Sequence, residues 1–314
     1  MAHLFESGLF VGQPAWHGLG VLLDNAPSAE DALKISGLDW QVKQMPLKTR
    51  LSVDDIDTAI ESHVANVRSS DNTILGIVGK GYKPLNNADI FAFIDTFVKN
   101  DVLTIDAAGS LKNGKTVWLL CKLKNMTRDI VSGDAVNSYF LVTNGHDGFR
   151  SCEVKFTDIR VVCNNTLVIS DKDIGLKMRH TAKMDISAIS DVVNFASKQF
   201  DITTEKYKQL VKKGFTSTSI VKLCKDLFYD QKTELTDRQI KNLTDKVESI
   251  TRLVETGQGS DISAIKGTNW ALYNAVTEYL NFEASGKADD RVTSLWLGKN
   301  KDISNQCLDI LLAA

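Results

Sequence analysis

Apolar and polar residues alternate in paired short runs through the first half of the chain, then recur at helical spacing through the second. The stretch from Leu38 to Leu47 alternates as a strand. His63 to Arg68 and Ile74 to Val78 flank the turn Ser69-Ser70-Asp71-Asn72, which predicts a hairpin. Leu103 to Leu111 and Lys115 to Leu123 predict a second hairpin across Lys112-Asn113-Gly114, since Asn-Gly is a strong turn signal. A third pair, Ser138 to Thr143 and Arg150 to Phe156, surrounds Asn144-Gly145-His146-Asp147-Gly148. Arg160 to Cys163 is short and apolar, and Asn164 to Ile169 reads equally as a strand or as a helix start. One helix interrupts the strands: Ile90, Phe91, Phe93, Ile94, Phe97 and Val98 form a broad apolar face after Asn86-Asn87-Ala88-Asp89. Residues 1–40 read as turns around one short helix that begins at Ala29 and stops at Ser36-Gly37.

After about residue 185 the period becomes helical. Ile186, Ile189, Val192, Val193, Phe195 and Ala196 share one face, and Thr216-Ser217-Thr218-Ser219 caps a helix running into Ile220 to Leu223. Lys241 to Val254, Trp270 to Phe282 and Leu308 to Leu312 also read as helix. Trp270, Tyr273, Val276 and Leu280 fall on one stripe, with Asn274 and Glu278 beside it. The expected fold class is α+β, with antiparallel hairpins packed on an apolar helix and a helical C-terminal region. The expected division is a strand-rich domain over 1–184 and a helical region over 185–314.

Composition narrows the function classes. The 314 residues are 43% hydrophobic and 24% charged, as in an ordinary globular protein, and four prolines leave no proline-rich linker. A net charge of -2 gives no global field toward nucleic acid or membrane, so any such contact needs a local basic face. Met1 to Ser7 lacks the positive start and apolar core of a signal peptide, and no apolar run suits a membrane span. The five cysteines, Cys121, Cys152, Cys163, Cys224 and Cys307, form no Cys-x-x-Cys pair. The expectation is a cytoplasmic protein.

Catalytic and cofactor signatures are absent from the pattern. His3, His17, His63, His146 and His180 have no metal-ligand spacing, and no metal or cofactor is expected. Cys163 lies near Asn164 and Asn165, and His146 or His17 would be its base in a nucleophilic site. Beside Val161 and Val162, however, it reads as a small core residue. Gly79-Lys80-Gly81-Tyr82-Lys83 lacks the spacing of a nucleotide loop and reads as a basic turn. Pro14-Ala15-Trp16-His17-Gly18-Leu19-Gly20 holds a large aromatic and a titratable ring between a proline and two glycines. Trp16 is expected to plug the sheet or a subunit contact, with Gly18 and Gly20 turning the backbone beneath it.

Cations and aromatics mark the strand-rich half. Lys43, Arg68, Lys80, Tyr82, Lys83, Lys112 and Lys115 lie on or beside the strands. Lysines at strand edges also deter aggregation. As a groove, they would track phosphates while Tyr82 stacks on bases.

Three segments together carry a resemblance: Trp16-His17-Gly18-Leu19-Gly20, Val162-Cys163-Asn164-Asn165-Thr166-Leu167, and Gly267-Thr268-Asn269-Trp270 continuing to Tyr279. In this order they resemble phage- and plasmid-encoded proteins long classed as a domain of unknown function, over roughly Phe5 to Leu311. The resemblance implies a mobile-element protein of a bacterial cytoplasm and brings no catalytic residues. Trp16, His17, Gly18, Gly20, Asn165 and Trp270 are its structural markers. Related members often carry a histidine after the Thr-Glu-Tyr segment, where this chain has Asn281-Phe282. The element order is also similar to the core of the single-strand annealing protein superfamily, a likeness of architecture alone.

The expected function is binding of single-stranded DNA, with strand annealing by a homo-oligomer joined through sheet edges. An alternative is a non-enzymatic phage accessory protein that binds a host or defence factor. A third reading is a small-molecule enzyme using His17, His146 or Cys163.

Overall fold

Strands and helices form much as the periodicity dictates, and the second hairpin is the simplest case. In this computed structural model, residues 5–12, 20–50, 56–162, 166–169, 187–229, 234–286, 291, 294–296 and 298–314 are described. Strands β6 (Leu103–Leu111) and β7 (Thr116–Val131) pair antiparallel with Leu111 opposite Thr116. Lys112, Asn113 and Gly114 between them all take positive φ, at 55°, 56° and 79°. The first hairpin is β4 (Thr58–Arg68) with β5 (Ile74–Gly79), and β3 (Val42–Thr49) adds to β4 to complete a three-stranded antiparallel sheet ordered β3-β4-β5.

The second sheet has seven strands. β1 (Phe5–Val11), β2 (Val21–Leu23), β8 (Asp134–Gly145), β9 (Glu153–Arg160) and β10 (Thr166–Ile169) join β6 and β7 in the order β10-β9-β8-β7-β6-β1-β2. Two features depart from the sequence expectation. Residues 1–40 hold more than turns and a helix, because β1 pairs with β6 and lies parallel to β2. Its Ser7-Gly8 centre lacks an alternating pattern, yet it suits the equally small Gly109-Ser110 across the ladder. A Cβ on Gly109 would stand 2.7 Å from the Ser7 carbonyl. The alternation from Leu38 also begins too early for a strand. Leu38 and Trp40 are buried before β3 starts, and the Leu38 carbonyl accepts from the Asn87 side chain at 2.9 Å. Of the ambiguous segment after Asn164, residues 166–169 are strand.

Contacts gather the chain into two compact units. The first takes the described residues up to Lys124 with Phe140–Lys155 and residues 187–193. The second takes Asn125–Tyr139, the described residues from Phe156 to Ile169, and those from Asn194 to Ala314. In the first unit, α1 (Ala29–Ile35) is capped by Ser28, and α2 (Asn87–Lys99) opens with a capping box between Asn86 and Asp89. α2 buries Ile90, Phe91, Ile94 and Phe97, and the Phe97 ring meets Phe140 of β8 edge-on at 5.9 Å. This is the apolar helix on a sheet that the spacing predicts.

The second unit contains most of α3 (Ser187–Val211), α4 (Ser217–Phe228), α5 (Asp237–Thr256), α6 (Asn269–Glu278) and α7 (Lys299–Ala313). The expected single apolar stripe on α6 is too narrow a description: all ten of its residues are buried. α5 and α7 pack against it, and the Tyr207 ring of α3 lies tilted 5.0 Å from Trp270 and stacked 6.1 Å from Tyr273. A helix buried all round must satisfy its polar side chains internally. Asn269 donates to the Leu311 carbonyl at 3.1 Å, and Asn274 donates to the Trp270 carbonyl at 2.8 Å. One turn of π-helix, Tyr279–Glu283, follows and carries Asn281. Its side-chain oxygen accepts from the Thr166 N–H and its amide donates to the Thr166 carbonyl, both at 3.3 Å. Asn281 therefore completes both backbone groups of a β10 residue.

Candidate nucleic-acid interface

The first unit carries every basic residue singled out for phosphate contact, and strand parity decides where each one points. Val42 lies opposite Arg68, and Lys43 opposite Val67. Because neighbouring residues on a strand face opposite ways, Arg68 and Lys43 stand on different faces of the three-stranded sheet. Arg68 is only 7% exposed. Its guanidinium grips Asp71 at 2.6 and 2.9 Å and Glu6 at 2.7 Å, and it lies 5.7 Å over the Trp40 ring. Hydrogen bonds from Arg68 and then from Thr73 hold the Asp71 carboxyl well below its usual range. This arginine is structural glue and offers no free donor fork to a phosphate. Lys43 is exposed beside Met45, Ile74 and Ile77, which are also exposed on that face.

Tyr82, Lys83 and Lys115 belong to chain segments that converge on the β8–β9 loop. The Tyr82 hydroxyl donates to the Gly145 carbonyl at 3.1 Å, and the Tyr82 carbonyl accepts from the Gln44 side chain at 2.9 Å. The His146 N–H donates to the Lys115 carbonyl at 2.8 Å, and the Asn66 side chain donates to the His146 carbonyl at 2.8 Å. Lys80 sits on the same turn as Tyr82 but pairs with Glu61 at 3.1 Å on the surface. Lys43, Lys83, Lys112, Lys115 and Arg150 make no ion pair among the described residues.

The loop is held in one shape by two close approaches. Gly76 of β5 meets the Asp147 backbone, where a Cβ would lie 2.6 Å from the Asp147 Cα. Gly148 has φ +85° and packs against Val78, 2.7 Å from where its Cβ would be. Asp147 accepts the Phe149 N–H at 3.0 Å, closing an Asx turn. The result displays Phe149 with its side chain 90% exposed. Phe149 and Arg150 line an open cleft of about 210 Å³ with Tyr82, Asn144, Ser151 and Cys152. Sequence periodicity passes over Phe149, because one aromatic on a turn has no period. Its signal is the Gly-Phe-Arg triplet, a ring and a cation just after a glycine.

The candidates for catalysis are built differently. His146 is fully buried. The Asn87 amide donates to Leu38, so its oxygen is the acceptor for His146 Nε2–H at 2.9 Å. Nδ1 is then left without a partner among the described residues, and burial pushes the ring pKa down to about 4. A neutral ring with the Trp40 edge at 5.2 Å is a packed core histidine. Cys121, Cys152, Cys224 and Cys307 are buried, and burial pushes the Cys152 and Cys224 thiols up to about 12. No group of three or more His, Cys, Asp and Glu side chains that could hold a metal occurs among the described residues. No helix there is long and apolar enough to cross a membrane.

Of the six structural markers, Gly20 and Trp270 are described. Gly20 has φ +96°, and a Cβ would stand 2.8 Å from the Gly8 carbonyl, so glycine is required beside β1. Trp270 is fully buried in the second unit. Trp16, His17, Gly18 and Asn165 lie outside the described residues, as does Cys163.

Two antiparallel-rich sheets, an apolar helix on one of them and helices after residue 187 define an α+β protein. The chain belongs to the family described as Domain of unknown function (DUF932), whose model matches residues 74–296, more than half of its length. That span contains the Trp270 segment and the β8–β9 loop, while the Trp16-His17 segment precedes it. No curated protein and no solved structure matches the chain.

Proposed function

We propose that this protein binds single-stranded DNA through the first unit and promotes annealing as a homo-oligomer in the cytoplasm of a bacterial host. The observation that carries the reading is a set of cations without ion pairs, Lys83, Lys115 and Arg150, on segments that converge on the β8–β9 loop, where Arg150 and an exposed aromatic line an open cleft. Phosphates need cations that are not already neutralised, and bases need a free ring face. Arg68 leaves the phosphate-contacting set because Glu6 and Asp71 already saturate it. Lys80 contributes weakly because Glu61 competes for it. Assembly of copies is supported by β3 and β5, which end their sheet, and by exposed Met45, Ile74 and Ile77 on its outer face.

The test is fluorescence anisotropy of a labelled oligo-dT over a range of salt. Affinity should fall linearly on a log-log plot, by about 0.7 per phosphate contact. Lys83→Ala with Lys115→Ala should flatten that slope by about 1.4. Absence of binding at low salt would overturn the reading.

A further inference from the structure

We propose that Phe149 is a stacking platform for one base of the bound strand, with Arg150 pairing to the phosphate beside it. This rests on the proposed single-stranded DNA reading and adds the chemistry of recognition: a sequence-tolerant hold on one unpaired nucleobase.

Four observations support it. Phe149 presents its ring almost wholly to water, so its face is open for a base to stack on. The ring is not on a loose tip, because Gly76, Gly148 and the Asp147 turn fix the backbone that leads into it. Less entropy is therefore lost when a base stacks on it. The adjoining cleft, about 210 Å³ and lined by Tyr82 and Asn144, has room for a flat base and polar groups for its edge. Arg150 follows directly and makes no ion pair among the described residues. Asp147, the nearest carboxylate in the loop, turns one oxygen inward to the Phe149 N–H. A strand offers what this arrangement lacks: an apolar face for the ring and a negative group for the guanidinium. A duplex offers no free base face, so the cleft selects single strands.

The experiment compares wild type, Phe149→Ala and Phe149→Trp on a labelled oligo-dT and on an oligonucleotide with abasic sugars at its centre. The exposed position makes folding of both variants straightforward to verify by their melting temperatures. Phe149→Ala should bind oligo-dT about tenfold more weakly. Phe149→Trp should retain affinity, and its emission should be quenched by bound bases. The abasic strand should weaken wild type to the level of Phe149→Ala and leave that variant unchanged. Equal binding of oligo-dT by wild type and Phe149→Ala would overturn the stacking role while the lysine contacts stand. So would an alanine variant that is weakened equally on both strands. Failure of wild type to bind either strand would overturn the stacking role and the DNA reading together.

Discussion

Trp270 donates its indole N–H to Asp134 at 2.8 Å, adding a third donor to a carboxylate that Arg160 already holds at 2.6 and 2.7 Å. Arg160 and Asp134 are both almost completely buried, and Arg160 also donates to the Gln258 carbonyl at 3.0 Å. A buried ion pair is tolerable only when the spare donors and acceptors are satisfied, and Trp270 and Gln258 do that here. Asp134→Ala should therefore cost roughly 3 to 5 kcal/mol by stranding the guanidinium. Trp270→Phe should lose about 2 kcal/mol through the missing N–H donor. Urea titrations of the two variants check both, and an Asp134→Ala midpoint equal to that of wild type would refute the first.

Stability should depend on pH through two buried groups of opposite sign. Burial pushes the Asp158 carboxyl up to about 7, against lowering hydrogen bonds from Tyr207 at 3.2 Å and from Ser138. Unfolded, it titrates near 3.9, so between about pH 4 and 7 the folded state holds the extra proton and stability falls as pH rises. His146 works the other way. Its folded pKa of about 4 lies below the unfolded value near 6.5, so stability falls as pH drops through that window. The two trends oppose each other from about pH 4 to 6.5. Asp158→Asn should expose the histidine trend, giving a steeper gain in stability from pH 4.5 to 6.5 and a more stable protein at pH 8. Denaturation midpoints across pH measure this; parallel curves for wild type and variant would contradict it.

Arg68→Ala should act on folding before it acts on binding. Removing a guanidinium shared by Glu6 and Asp71 should cost about 2 kcal/mol. The salt slope of DNA binding by the folded variant should equal that of wild type. A reduced slope with unchanged stability would return Arg68 to the phosphate-contacting set.

Gly76→Ala tests the loop seating. Its methyl group would sit 2.6 Å from the Asp147 backbone, which cannot move aside as a flexible side chain could. A loss of about 2 kcal/mol is expected, together with weaker oligo-dT binding as the Phe149 loop shifts. Unchanged affinity in the folded variant would separate loop position from recognition.

The hairpins and α2 are legible in the sequence because their signals are local: alternation, an Asn-Gly turn, a capping box. β1 is not, because its Ser-Gly centre becomes a strand only opposite the small residues of β6. The full burial of α6 escapes a helical wheel, which displays one stripe and not what wraps the other side. The site is partly legible. Tyr82 lines the cleft and the Lys115 carbonyl meets the same loop, but Arg68 is placed inward by a parity that the sequence leaves open until its partner Val42 is known. Phe149 needs the loop geometry before it stands out. The grouping of Asn125–Tyr139 with the helices after Asn194 is a long-range effect with no local trace.

The Asn281 amide has a consequence for growth. A border strand normally offers its backbone to any passing strand, but at Thr166 that offer is already taken from within the chain. The large sheet is thus sealed at this position of its β10 border, just as on the small sheet the Asn86 side chain takes the Val42 N–H of β3 at 2.8 Å.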